Sequence, residues 1–352
     1  MTKLKIKNPP AGGINLMNKI AFIETTEWER GYLSKFPDFV SLCDFYPETI
    51  NQDNISKFKD YEVISCFINS QFTKELIDQL PNLKLIATRS TGFDHIDVNY
   101  CKEKGIIVST VPTYGSHTVA EYTFGLLLCL IRKIDTAYHQ VRETGKFNIE
   151  GLKGIELFNK TLGVIGTGKI GVNVIKIANG FGMQVLGYDK YPNEELAQQL
   201  SFEYVPLEKL LQDSDIITLH VPYNSETHHL LNRNNIPLIK QGAYIINTAR
   251  GGIIETEALY QALKLGRIAG AALDVLEEEG DIKDEQELLL KNKLISPEEL
   301  KIALLNHLFI DLNNVLVTPH NAFHTEEALQ NIVQTTIDNI NGYLKGQYKN
   351  QV

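Results

Sequence analysis

Gly166-Thr167-Gly168-Lys169-Ile170-Gly171 stands between an apolar run, Thr161–Ile165, and a helical pattern, KIGVNVIKIANGFG. Three glycines at this spacing suit a strand–turn–helix that wraps a pyrophosphate. Gly166 permits the tight turn, Gly168 lets the phosphates approach the backbone, and Gly171 lets helix and strand pack closely. The first helical amides, from Lys169 and Ile170 onward, attract the anion. Asp189 ends the next apolar run, about 20 residues beyond the glycines. A carboxylate there accepts hydrogen bonds from the adenosine ribose hydroxyls and repels a 2′-phosphate. The predicted cofactor is NAD.

Three further phrases lie downstream: Asn247-Thr-Ala-Arg250-Gly251-Gly252, Ala272-Leu-Asp274-Val-Leu-Glu277-Glu278-Glu279, and Val317-Thr-Pro319-His320. Each follows a strand candidate, where open α/β sheets place their ligands. Arg250 offers a planar fork to a carboxylate, and its glycine pair reads as a turn that approaches a ligand. His320 can give a proton to a carbonyl oxygen as hydride reaches the carbon, and an adjacent carboxylate keeps that His protonated. The set suits reduction of an α-keto acid. His228-His229 and the His320/His324 pair also invite a metal reading, but neither has a third ligand at a recognisable spacing, so no metal site is predicted.

The elements that must position these residues alternate between strand and helix. Lys19–Ile23, Val63–Phe67, Lys84–Thr88 and Ile106–Ser109 read as strands, with helices at Thr73–Leu80 and Asp97–Lys104. One long helix is predicted over His117–Glu143. Six more strands follow: Thr161–Ile165, Gln184–Tyr188, Ile216–Leu219, Ala243–Asn247, Ile268–Leu273 and Val315–Val317. The last helix spans Thr325–Lys345. This alternation predicts an α/β protein of two doubly wound parallel sheets, a Rossmann nucleotide domain and a flavodoxin-like substrate domain with a cleft between them. The expected boundaries are a flexible tail at 1–18, a substrate domain from 19–114 with 321–352, and a nucleotide domain at 115–320. A helical, charged insertion at about 280–312 is expected on the nucleotide domain as a solvated face.

The 352 residues carry 34 Lys and Arg against 43 Asp and Glu, a net charge of −9 that argues against nucleic-acid or anionic-membrane surfaces. The longest apolar stretch, Phe124–Ile131, is far shorter than the ~18–20 residues of a membrane span. No apolar segment follows the basic N-terminus, so no secretory signal is read there. The four cysteines are scattered without a C-x-x-C pair, which points to a reducing, cytoplasmic setting.

These phrases, together with Ser90-Thr-Gly92-Phe-Asp94-His-Ile-Asp97 and Val111-Pro-Thr-Tyr114, resemble the D-isomer-specific 2-hydroxyacid dehydrogenase family over about residues 19–345. Val111-Pro-Thr-Tyr114 and Thr318-Pro-His320-Asn-Ala-Phe323-His324-Thr325 look most like its D-lactate dehydrogenase branch. The resemblance implies a catalytic set of Arg250, Glu279 and His320. It implies substrate-carboxylate binding by the Thr91 and Gly92 amides beside Arg250, and a side-chain pocket walled by Phe67, Tyr114 and Phe323. It also implies cofactor contacts from His220, Val221, Pro222, Thr227, Thr248, Ala249 and Asp274. A small 2-keto acid, most simply pyruvate, is the expected substrate, with a broader reductase of larger keto acids as the alternative. A homodimer through the nucleotide domains follows from the family. A nucleotide-sensing protein of corepressor type is the non-enzyme reading, and nothing in the sequence favours it.

Overall fold

The computed structural model describes residues 20–277 and 296–352. The tail at 1–18, Lys19, the acid assigned to Glu279 and the first part of the 280–312 insertion lie outside the described residues. Chain contacts divide the protein into two compact units. One comprises the residues through Pro112 together with Gln330–Val352, and the other comprises Thr113–Leu329.

The first unit is built on a parallel sheet of order β2-β1-β3-β4-β5. Its strands are β1 (Ile20–Phe22), β2 (Cys43–Phe45), β3 (Val63–Cys66), β4 (Leu85–Thr88) and β5 (Ile107–Ser109). The central strands are apolar on both faces because helices cover both sides. Ala21, Ile64 and Ile86 face a core that includes Phe72, Leu76 and Cys101, from α3 (Lys74–Ile77), α4 (Val98–Lys104) and the loop before them. Ile20, Phe22, Val63 and Leu85 face the other layer, with Leu33 of α1 (Glu27–Leu33) and Val333, Ile337 and Ile340 of the C-terminal helix. The short β2, not anticipated from sequence, is an edge strand of three residues following α2 (Pro37–Val40). Its CDF run is too short to show alternation.

The second unit has a parallel sheet of order β12-β11-β10-β9-β6-β7-β8 among the described residues. Six strands match the sequence reading: β6 (Thr161–Ile165), β7 (Gln184–Tyr188), β9 (Ile216–Leu219), β10 (Ala243–Asn247), β11 (Ile268–Leu273) and β12 (Val315–Val317). A seventh, β8 (Glu203–Tyr204), pairs at the edge and corrects the six-strand expectation. The order reverses between β6 and β9, so the crevice of this sheet opens at their carboxyl ends.

The single helix expected over 117–143 is two: α5 (Ser116–Arg132) and α6 (Ile134–Thr144), broken at Lys133, whose φ is 53°. α5 buries Phe124, Leu127 and Ile131 and packs on α7 (Lys169–Gly180), whereas α6 buries no residue. The helical pattern continues through the break without a Pro or Gly, so only packing reveals it. Helices α8 (Glu194–Leu200), α9 (Leu207–Asp213) and α10 (Thr256–Lys264) complete the layers.

The described part of the insertion forms α11 (Pro297–Ile310), opened by a reciprocal Ser296/Glu299 cap. It buries Ala303, Asn306 and Phe309 and packs on α10, yet Leu300, Leu304 and Leu308 are exposed. Glu298, Glu299 and Lys301 are exposed as expected of a solvated face, but that face also carries these three leucines, because apolar residues run around the whole circumference. The last helix, α12 (Glu326–Leu344), is followed by Gly346 in the left-handed region.

Candidate active site

β6 delivers the glycine turn to the crevice between β6 and β9. Gly166 has φ +95°, and a Cβ there would meet the carbonyl group of His220 at 2.7 Å. Gly171 is pressed on Gly166, whose carbonyl oxygen lies 2.0 Å from where a Cβ would sit. Gly168 differs: it is the N-cap of α7, supplies no capping side chain, and a Cβ there would have nothing within 4 Å. The amides that open α7 therefore receive no acceptor from the cap, and the space beside Gly168 is open, as a bound anion requires. Asp189, after β7, is held in place. Its Oδ2 accepts from the Thr167 N–H at 2.8 Å and Thr167 Oγ1 at 3.1 Å, and its Oδ1 accepts from Tyr191 N–H at 2.9 Å. Neighbouring Lys190 is turned onto Glu226 at 2.5 Å.

The opposite side of the crevice is the loop after β9. The His220 amide donates to Ile165 O at 2.7 Å, and its Nε2 lies 2.9 Å from Thr218 Oγ1. Burial pushes the pKa of this imidazole down to about 3, so it is neutral; its Nδ1 is buried without a protein partner among the described residues. Val221 lies against Gly166, and Thr227 Oγ1 closes the following turn by donating to Pro222 O at 2.6 Å. His220 and Val221 thus lie against the glycine turn, and Pro222 and Thr227 continue the same loop.

Arg250 stands on a turn after β10. Buried Asn247 braces that turn twice: its Nδ2 donates to Arg250 O at 2.9 Å and its Oδ1 accepts from Ala249 N–H at 3.0 Å. Thr248 is anchored by Oγ1, 3.1 Å from Thr123 Oγ1 of α5; because Thr123 donates to Val119 O, Thr248 is the donor. The glycine pair after Arg250 is required by the packing of the chain. A Cβ on Gly251 would lie 2.0 Å from the Leu276 carbonyl carbon, and one on Gly252 would strike the Tyr223 ring.

His320 follows β12 with φ 52°, and its amide donates to Asp274 O at 2.7 Å. The Asp274 carboxylate, almost wholly buried, accepts from Thr318 Oγ1 at 2.5 Å and from the Asn321 and Ala322 amides at 2.8 Å each. Burial nevertheless lifts its pKa above the ordinary carboxylate range, outweighing those donors and the attraction of His320. The Phe323 ring lies edge-on to His320 at 6.5 Å and to Tyr114 at 6.1 Å. Tyr114 is raised in pKa by burial and lowered in smaller measure by the charge of Arg250. Tyr114, Phe323, His320 and Asp274 therefore form one connected group in the second unit, with Arg250 near enough for its charge to act on Tyr114. Of the acidic run, Glu277 is committed elsewhere: its carboxylate meets His229 Nε2 at 2.7 Å and Thr256 Oγ1 at 2.6 Å. His228 and His229 stack at 3.9 Å, and the described residues contain no group of three metal-ligating side chains.

In the first unit, Phe67 follows β3 half-buried, and Thr91 and Gly92 follow β4 on a surface loop. Thr91 Oγ1 donates to Val111 O at 2.6 Å, and the Ser90 carbonyl accepts from Val111 N–H at 2.9 Å. Among the described residues the amides of Thr91 and Gly92 have no acceptor, so two adjacent N–H groups are available to an anion.

The family model "D-isomer specific 2-hydroxyacid dehydrogenase, NAD binding domain" matches residues 124–322. The chain belongs to the D-isomer-specific 2-hydroxyacid dehydrogenase family. The D-lactate dehydrogenase of Escherichia coli K12 is 36% identical over 332 residues, 94% of this chain and 98% of that one. An aromatic 2-oxoacid reductase of Clostridium sporogenes is 40% identical over 312 residues, covering 88% of this chain and 91% of the relative. Among solved structures, D-lactate dehydrogenase from Aquifex aeolicus, complexed with NAD and lactic acid, superposes with a TM-score of 0.82 at 37% identity, covering 93% and 96% of the two chains. The protein is thus an NAD-dependent dehydrogenase of 2-hydroxyacids within the lactate dehydrogenase branch. The open cradle over Gly168 and the oriented Asp189 carboxylate fit that cofactor.

Asn247, Thr318 and Thr123 support this group, yet sequence reasoning gives them no role. Asn247 and Thr318 stand inside legible motifs, but their side chains act through backbone groups that only the folded turn creates.

Proposed function

We propose that this dehydrogenase interconverts pyruvate and D-lactate. The observation that carries the reading is the Tyr114–Phe323 edge contact at 6.1 Å, adjacent to His320. Two aromatic rings beside the assigned proton donor would narrow the room for a substituent on the keto carbon, which supports a small one such as methyl. The lactate dehydrogenases among its relatives support the same choice. A second reading, reduction of larger or aromatic keto acids, is favoured by the 40% identity to an aromatic 2-oxoacid reductase.

Carboxylate recognition is assigned to Arg250 and to the amides of Thr91 and Gly92. When bound, NADH supplies the hydride. His320 donates the proton that the developing alkoxide takes up, and in the oxidative direction removes it again. Glu279 is assigned the task of holding His320 protonated, the remaining acids of the run being Glu278 and the already committed Glu277. Gly166, Gly168, Lys169, Ile170 and Gly171 are assigned to the pyrophosphate and Asp189 to the ribose, with His220, Val221, Pro222, Thr227, Thr248 and Ala249 around the nucleotide. Asp274 is assigned to the nicotinamide side of the site, and Phe67, Tyr114 and Phe323 to the substrate side chain. The nucleotide domain is proposed to span about 115–320, and the substrate domain 19–114 with 321–352.

A homodimer through the second unit belongs to the same proposal. α6 carries Ile134, Tyr138 and Val141 on one stripe with no residue buried, and Phe147 and Ile149 beyond it are 93% and 88% exposed. Four free cysteines support a cytoplasmic setting.

The test is NADH oxidation against pyruvate, 2-ketobutyrate, 2-ketoisocaproate, phenylpyruvate and hydroxypyruvate, with the product's configuration determined. A D-product with pyruvate far ahead is expected, and a lead for phenylpyruvate would install the second reading. Arg250→Ala is expected to lower kcat/KM for pyruvate by ~10³-fold with NADH affinity retained. A parallel loss of NADH affinity would overturn the carboxylate assignment.

A further inference from the structure

The loop that presents the Thr91 and Gly92 amides is tied to a buried histidine by a run of hydroxyl groups. Ser90 Oγ donates to Gly92 O at 2.6 Å, and the same Ser90 Oγ lies 2.6 Å from Thr88 Oγ1. Thr88 Oγ1 in turn lies 3.2 Å from His95 Nε2. Thr88, Ser90 and His95 are each buried, at 1%, 3% and 8% exposure.

Each hydroxyl has one proton, and this sets the direction of the run. The Ser90 proton is on Gly92 O, so Ser90 must accept from Thr88. The Thr88 proton is then spent on Ser90, so Thr88 must accept from His95, whose Nε2 carries a hydrogen. Longer contacts surround the run: Phe67 O is 3.5 Å from Thr88 Oγ1, and Cys66 Sγ, 3.9 Å from His95 Nε2, also meets Thr88. Burial pushes the Cys66 thiol up, so it is protonated and neutral beside the ring. The run therefore reads His95 Nε2–H to Thr88 to Ser90 to the Gly92 carbonyl.

This arrangement adds an inner tether to a loop whose outer side is held on Val111. Gly92 has no side chain, Thr91 is exposed, and the outer tethers are the Thr91 hydroxyl on Val111 O and the Val111 N–H on Ser90 O, neither of which reaches Gly92. The inner tether is the Ser90 hydroxyl on Gly92 O. The Thr91 N–H belongs to the Ser90–Thr91 peptide and the Gly92 N–H to the Thr91–Gly92 peptide; with the Thr91 side chain and the following Gly92 carbonyl both tied down, these two N–H groups keep their aim without spending binding energy on ordering.

We propose that His95, Thr88 and Ser90 are positioning residues for substrate-carboxylate recognition, acting by locking the Thr91–Gly92 amides. The proposal rests on the assignment of those amides to the carboxylate. It touches neither the proton donor nor the nucleotide loop, so its loss falls on KM for the keto acid rather than on NADH affinity.

The experiment is a double-mutant cycle on Ser90→Ala and His95→Leu, with His95→Gln as the conservative variant, since a Gln amide can still donate at the Nε2 position. Pyruvate and methyl pyruvate are the paired probes, because the ester keeps the carbonyl and lacks the anion. Each single variant is expected to raise KM for pyruvate by about 5- to 10-fold, the scale of one net hydrogen bond. kcat and NADH affinity should move by less than about 3-fold, and the advantage of pyruvate over its methyl ester should shrink in step. His95→Gln should restore most of the loss. The double variant should match Ser90→Ala alone, because His95 acts through Ser90. Full additivity, or a His95→Gln as impaired as His95→Leu, overturns the proposal. So does an unchanged KM in folded single variants. Should His95→Leu fail to fold, Thr88→Val takes its place in the cycle. If the wild type shows no preference for pyruvate over the ester, the carboxylate assignment itself falls, which is a different result from additivity in an enzyme that discriminates.

Discussion

His320 is seated on Asp274: its amide donates to the Asp274 carbonyl at 2.7 Å while the Asp274 carboxylate collects Thr318 Oγ1 and the amides of Asn321 and Ala322. Four hydrogen bonds from one acidic residue thus hold a turn whose central residue has a φ of 52°, a conformation that costs a non-glycine residue about 1–3 kcal/mol unless its surroundings impose it. The turn that carries the ring proposed to deliver the proton is thus held by the residue that follows the neighbouring strand.

Asp274→Asn places an amide group against donors and should release the turn. We expect kcat to fall by about 100-fold, the scale of a misplaced reacting group, and Thr318→Val to fall by less. Steady-state kinetics with independent NADH titration check this. If Asp274→Asn weakens NADH binding and leaves kcat intact, Asp274 acts through the nicotinamide instead.

Gly168 and Gly171 separate binding from folding. Gly168→Ala meets nothing within 4 Å, so its melting temperature should match the wild type while NADH affinity drops by about 10-fold or more. Gly171→Ala drives a methyl onto Gly166 O and should melt about 3 °C lower or more. Calorimetry of both variants with and without NADH decides; a destabilised Gly168→Ala would contradict the open cradle.

Phe323 meets both Tyr114 and His320 edge-on. Phe323→Ala should widen the pocket and shift the kcat/KM ratio of 2-ketoisocaproate to pyruvate upward by about 10-fold. A ratio that stays put removes Phe323 from the specificity wall.

His220 gives the fold a sign-definite pH dependence. Its folded pKa of about 3 lies below the unfolded value near 6.5, so the unfolded chain takes up the proton first. Its contribution is complete above pH ~6.5 and is lost as pH falls from there toward 3. Between pH 7.5 and pH 5 the wild type should lose about 2 kcal/mol more than His220→Gln, which cannot titrate. Denaturant melts of both at the two pH values measure the difference; equal losses mean that the ring protonates in the folded state.

The exposed stripe of α6 predicts the assembly. Ile134→Glu with Val141→Glu replaces residues that are 53% and 45% exposed, so the chain should fold normally and elute as a monomer where the wild type is a dimer. Light scattering settles the mass, and a wild-type monomer would defeat the dimer reading.

Sequence was enough to place the strands that are apolar on both faces, the glycine turn between β6 and α7, and the order in which Arg250, Asp274 and His320 appear after successive strands. These signals are local: periodicity, turn chemistry and motif spacing act over a few residues. The edge strands β2 and β8 escaped because CDF and EY are short and interrupted by a charged residue, whereas the equally short β1, β5 and β12 carry no charge. The break at Lys133 escaped because nothing in that run disfavours a helix; the separate environments of α5 and α6 impose it. Only the folded chain shows that the Arg250 glycines serve packing against Leu276 and Tyr223, and that Glu277 is spent on His229 and Thr256. Folding likewise seats His320 on Asp274, and joins Thr88, Ser90 and His95 beneath the Gly92 loop. The physical reason is the same in each case. A hydrogen bond or a close contact is fixed by distance in space, and residues 44 to 48 apart in the chain, as Asp274 is from Thr318 to Ala322, acquire that distance only when parallel strands set them side by side.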